Sequence, residues 1–240
     1  MNKKQLIIVF SVLFLICTPA FAYLKNYPPH KFKDGIPKHL QVKALVDINK
    51  AEYKSKDGDV SVKLKERPNA FDFILKQGNL VLAKIKEKEM PVPYAVYWAD
   101  LDNNGLKDFM VFYNYKGTDL EGFRDRVDIF LKVNKKTYQR ISYDTMSAGL
   151  EDFVDLNKDG KYEVVITDLY KKKKHNYFTY NIYEFKNYKL VNANANFKGF
   201  PKFIWMTYKA NDKDTAHLTK EEREKYVAGI NNSIEYQEIK

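Results

Sequence analysis

Along the middle of the chain, apolar and polar residues alternate in short runs, and the runs pair across brief polar turns. Residues 127–133 lead through Asn134, Lys135 and Lys136 into 137–141, and residues 180–185 lead through Lys186 and Asn187 into 188–191. Successive side chains of a strand point to opposite faces, so this alternation marks strands with one face in a core, and the short polar connections mark antiparallel hairpins. A more continuously apolar run precedes each pair, 108–114 in one case and 163–168 in the other. Before each of these comes a segment rich in Asp, Asn and Gly, opened by Asp100 and by Asp155. The spacing predicts a repeat of about fifty-five residues, each unit being four antiparallel strands.

A worn copy lies upstream, where residues 44–53 resemble 153–162 with the acidic loop lost after Asp47. Its hairpin pattern returns as 70–75, a turn at 76–79, and 80–85. Downstream, 203–208 falls where a fourth unit would place its first strand, but the pattern then changes. Thr219 followed three residues later by Glu222 is a capping box, and it predicts a helix from Leu218 to Ile234, with a polar tail after it. The expectation is an all-β chain of about three four-stranded antiparallel repeats, at 41–93, 94–149 and 150–200. The first is degenerate, and a partial fourth over 201–240 ends in a C-terminal α-helix. Residues 23–240 are expected to form one domain, because stacked repeats bury their faces on each other. Pro28, Pro29 and Pro37 predict an extended lead-in, and 90–93, with two prolines, a linker.

The first residues change the picture of where the chain works. Lys3 and Lys4, the apolar stretch 6–17 and the small residues Ala20 and Ala22 form a signal-peptide pattern over 1–22, with cleavage expected after Ala22. That predicts a periplasmic or secreted protein with no transmembrane segment after cleavage. Cys17 is the only cysteine of the 240 residues, so the exported chain would have no disulfide. The 18 tyrosines and 16 phenylalanines favour strands. The formal charge is +10, or about +8 without Lys3 and Lys4. A basic exterior suits solubility, and it also suits an anionic envelope polymer as partner.

The candidate chemistry sits in the loops 100–108 and 155–163. Side-chain oxygens stand at positions 1, 3, 5 and 9 around a glycine at position 6, a spacing that lets a backbone wrap a hard cation. In the first loop these are Asp100, Asp102, Asn104 and Asp108, with the main-chain carbonyl of Leu106 at position 7. In the second they are Asp155, Asn157, Asp159 and Glu163, with the carbonyl of Lys161. Calcium takes six to eight such oxygens, whereas zinc wants His or Cys, which are absent here. An EF-hand fits poorly, because position 12 is Val111 in one loop and Ile166 in the other, and strand formers follow. The same residues also suit a plain hairpin connection without an ion. With their flanking strands, the loops resemble the FG-GAP or VCBS repeat, the calcium-binding blade of integrin-alpha-like propellers. The resemblance covers Tyr94 to about Ala193 well and Gln41 to Lys86 weakly. It implies a propeller-like array and two Ca2+ sites at the named residues, structural rather than catalytic, with the lost loop after Asp47 departing from the pattern.

Other candidates add little. Lys171–Lys174 with His175 and nearby aromatics could meet an anionic partner, although an exposed loop between strands, kept soluble by charge, explains them better. His30, His39, His175 and His217 have no partner at ligand spacing. No Gly-x-Ser-x-Gly elbow appears, and Trp98 and Trp205 read as core rather than as a sugar platform. The expected function is therefore a non-catalytic binding or interaction module, with an unidentified protein or an anionic envelope polymer as partner, and export disfavours nucleic acid. A secreted metal-dependent hydrolase or polysaccharide-active enzyme is the rival, and a structural envelope component the third reading. The open edges of an incomplete propeller would need dimerisation or the C-terminal helix to cover them.

Overall fold

The computed structural model of the protein describes residues 38–41, 51–54, 59–67, 70–87, 92–114, 124–206 and 216–240. The expected signal peptide, the prolines of the lead-in and the Asp47 segment lie outside these, whereas Lys38–Gln41, expected to belong to that lead-in rather than to a regular element, form a strand paired with residues 95–98. Within them the chain is mostly β, in three antiparallel sheets with one helix near the C-terminus. No helix among the described residues is long and apolar enough to cross a membrane.

The first sheet is a meander of β2 (Ala51–Lys54), β3 (Val60–Arg67), β4 (Ala70–Gln77) and β5 (Leu80–Glu87). Its β4–β5 turn is Gly78–Asn79, where Gly78 takes a left-handed φ of 55° that glycine adopts without strain. The second sheet holds the meander β6 (Val92–Ala99), β7 (Asp108–Asn114), β8 (Asp125–Lys132) and β9 (Tyr138–Thr145). It is widened at both edges by distant chain: β1 (Lys38–Gln41) pairs with β6, and β15 (Glu235–Ile239) pairs with β9. The third comprises β10 (Phe153–Val154), β11 (Glu163–Lys172), β12 (His175–Lys186) and β13 (Lys189–Asn192), with β14 (Lys202–Trp205) alongside β12.

Several expectations change. The strand at 202–205 does not open a fourth unit: it pairs with residues 177–180 of β12. The polar tail is β15, which lies on β9 and is held there by Arg126 bonding Glu235 and by Tyr236 Oη donating to the Leu190 carbonyl at 3.1 Å. Its side chains are largely exposed, so local hydrophobicity could not announce it; backbone pairing makes the strand. Val92 and Pro93, assigned to a linker, begin β6. Proline has no N–H for the ladder, and the register between β6 and β7 shifts between Pro93 and Ala95. The Lys171–His175 run is the tip of a two-residue hairpin turning at Lys173–Lys174, rather than a loop.

The second sheet is the middle layer. In β7, Phe109, Val111 and Tyr113 pack with Val62, Phe73 and Leu75 of the first sheet, while Met110 and Phe112 pack with Phe153, Val164 and Tyr183 of the third. Both faces are buried, which is why 108–114 reads as a nearly continuous apolar run instead of an alternating one. Phe112 links the layers, with its ring 5.1 Å from Tyr97 and 6.1 Å from Phe153.

The helix α1 (Lys220–Ser233) covers the third sheet. It begins as expected, with Glu222 N donating to Thr219 Oγ1 at 3.2 Å and Thr219 N donating to Glu222 Oε2 at 2.8 Å. Only Ile230 is buried within it; Tyr226 leans on Phe203 and Tyr170, with ring centroids 5.1 and 5.3 Å away. Phe112→Ala removes the ring shared by two sheets and is expected to cost about 3–5 kcal/mol in urea unfolding. Thr219→Ala removes only a cap and is expected to cost about 1 kcal/mol in the same measurement.

Candidate metal centre

Both acidic loops follow the first strand of their meander and lead into the second, as 100–107 between β6 and β7 and as 155–162 between β10 and β11. Their backbones match position by position. Asn103 and Lys158, at position 4, have φ of 58° and 63°, and Gly105 and Gly160, at position 6, have 80° and 87°. A β-carbon on Gly105 would meet nothing within 4 Å, so the glycine is needed for its backbone angle and not for space.

The side chains explain the shared path. The position-1 carboxylate accepts the N–H of the position-6 glycine: Gly105 N donates to Asp100 at 2.8 Å, and Gly160 N to Asp155 at 3.0 Å. The position-9 carboxylate reaches back to position 2: Leu101 N donates to Asp108 at 2.8 Å, and Leu156 N to Glu163 at 2.6 Å. Asp108 also accepts from Lys132 N at 2.8 Å, which ties the first loop to the end of β8. At position 7, Leu106 N and Lys161 N donate to Asn104 and Asp159, at 2.7 and 2.8 Å.

The first loop brings its acids together. Single oxygens of Asp100, Asp102 and Asp108 lie within 4.8 Å of one another, and Asp102 Oδ1 is buried without a hydrogen-bond partner. Asn104 is held beside them, its Nδ2 donating to Asp102 Oδ2 at 3.2 Å and to the Lys132 carbonyl at 3.0 Å. The carboxylates of Asp155, Asp159 and Glu163 form no such group of three. Asn157 and Asp159 are exposed, and Asn157 Nδ2 donates to Asp159 at 3.3 Å.

Crowding and burial disfavour ionisation here. Burial and the adjacent Asp100 raise the Asp102 carboxyl above its usual range, against hydrogen bonds and the Lys161 ammonium of the other loop. Burial raises Asp108 further, although Lys132 N–H and Leu101 N–H oppose it. Burial pushes Glu163 up to about 7, with Asp159, Asp155 and Glu184 adding to the rise. A hard cation fits this donor set, because its charge would let three converging carboxylates stay ionised and its open coordination would take the unpartnered oxygen of Asp102.

The two loops also touch. Tyr162 N donates to the Leu101 carbonyl at 2.9 Å, so the second residue of one loop is bonded to the eighth of the other. Periodicity could not reveal this bridge, nor the part played by Lys132, since both join segments far apart in sequence.

Other singled-out residues fall elsewhere. Trp98 is partly buried against the core between the first two sheets. Trp205, expected in a core, is 44% exposed on β14, 4.6 Å from the His175 ring. At the opposite end of the second sheet from the loops lies a buried acidic pair, Asp125 and Asp152. Asp125 accepts from Asn114 Nδ2 at 2.9 Å and from Ala148 N at 2.8 Å. Asp152 accepts from Gly149 N at 3.0 Å. These bonds fasten the connection between the second and third sheets.

No known family model, curated protein or solved structure matches this chain.

Burial, helped by Glu151 and Asp125, holds the Asp152 carboxyl well above the ordinary value of 3.8. Between 3.8 and that raised value the native state keeps a proton the unfolded chain has lost, so this group makes stability fall as pH rises through the window. Asp152→Asn keeps an acceptor for Gly149 N and has no charge to bury. Its stability at pH 7 is expected to rise by about 1 kcal/mol, with a shallower decline from pH 4 to 7 in thermal unfolding.

Proposed function

We propose that this is an exported calcium-binding β-repeat protein of FG-GAP or VCBS type. In this reading its three stacked sheets are blades of an incomplete propeller, and it serves as a non-catalytic binding module in the periplasm or outside the cell. The observation that carries the reading is the position-by-position match of the two loops, together with the gathered oxygens of Asp100, Asp102 and Asp108. The calcium is structural: each loop joins the first two strands of its meander, and an ion there would fix the turn while its neighbour is fixed beside it through Tyr162 and Leu101. The basic exterior points to an anionic envelope polymer or a protein as partner.

Ions that bind the native state alone must raise its melting temperature with concentration. Modules outside the cell hold calcium at about 0.1–1 mM, so chelator-stripped protein taken to about 10 mM calcium should gain several degrees. Magnesium should give much less, because it demands closer octahedral geometry. A melting temperature that ignores calcium, or an equal response from the Asp100→Ala, Asp155→Ala double variant, would remove the proposal.

A further inference from the structure

The end of the molecule away from the loops carries a cleft of about 580 Å³ between α1 and the third sheet. Tyr170 from β11 and Tyr226 from α1 supply its aromatic surface, with ring planes at 77° to one another, and Ile230 adds an aliphatic one. The polar wall is held in place by bonds of its own residues. Glu222 is held by Thr219 N at 2.8 Å and by Lys172 Nζ at 2.9 Å, and Tyr226 Oη is bonded to Thr179 Oγ1. Arg124 Nη2 lies 2.9 Å from Asp168 Oδ1.

Gly229 lies on the helical wall of this cleft. Glycine inside a helix is the least favourable choice after proline, and it normally answers a need of backbone or packing. Neither need exists here: the residue lies within a regular helix, its φ is not positive, and a β-carbon would meet nothing within 4 Å. What the missing side chain leaves is open volume in the cleft.

The chemistry of the lining selects the occupant. Two cations, Arg124 and Lys225, face two carboxylates, Asp168 and Glu222, so the wall has no net charge to attract an ion. Tyrosine rings offer apolar contact to C–H faces, and a guanidinium and two fixed carboxylates offer planar groups to neighbouring hydroxyls. A neutral molecule with apolar faces and a rim of hydroxyls meets these terms.

We infer that the cleft binds a ring of a neutral saccharide: Tyr170 and Tyr226 contact its C–H faces, Arg124, Asp168 and Glu222 bond its hydroxyls, and Gly229 keeps the helical wall open. The inference rests on the reading of the chain as a binding module, but not on the calcium loops, which lie at the other end of the strands.

The test is titration calorimetry of the calcium-loaded protein with cellohexaose, chitohexaose and mannohexaose, and with a galacturonate hexamer as the charged control. At least one neutral hexaose should bind. Gly229→Leu, which fills the cleft, should weaken that binding at least about tenfold, and Arg124→Gln, at the rim, should weaken it severalfold. Both variants should keep the wild-type rise in melting temperature with calcium, which separates this inference from the calcium proposal. Absence of binding by all three neutral sugars, binding of the galacturonate alone, or unchanged affinity in Arg124→Gln would overturn the assignment, whatever the calcium response.

Discussion

The architecture depends on a middle sheet that must be apolar on both faces. Phe109, Val111 and Tyr113 face one core, and Met110 and Phe112 face the other. A chain that meets this demand cannot mark its strands there by alternation, and it has little room for charge. Two of the charges it does admit are tied down: Asp108, completely buried at the start of β7, accepts a backbone N–H at each oxygen, and Asp128 in β8 is met by Arg140 at 2.7 Å. The same aspartate that closes the first loop therefore also fastens it to the core, and loop geometry and sheet packing are not separable.

Much of the fold was legible because it is local. Hairpins show themselves through alternation and turns, the helix through Thr219 and Glu222, and the loops through the fixed offsets of Asp, Asn and Gly. What escaped depends on partners far along the chain. The exposed residues of β15 are a strand only because β9 offers an open edge, and 202–205 joins β12 because that strand is long enough to pair with both β13 and β14. The candidate site divides the same way. Spacing singled out the residues of both loops alike, but the gathering of Asp100, Asp102 and Asp108 in the first, the bridge from Tyr162 to Leu101 and the grip of Lys132 on Asp108 needed the stacked sheets.

The strands separate two kinds of chemistry by their length. At one end the first loop gathers three carboxylates into a crowded, partly buried cluster that could hold a metal ion. At the other, where β11 runs out toward the Lys173–Lys174 turn and α1 lies across it, charges are paired and aromatic rings are left partly open. A change at one end can thus leave the other intact, since the layers between them are tightly packed.

The ninth residue of each acidic loop bonds the second, and the first bonds the sixth. Such a loop works as a measure of length more than as a list of residues. The fourth residues, Asn103 and Lys158, are exposed and can vary in chemistry as long as their left-handed backbone angle is tolerated. One residue inserted or removed would detach both anchors together. A loop of this kind is therefore more sensitive to a change in its length than to drift at its fourth position.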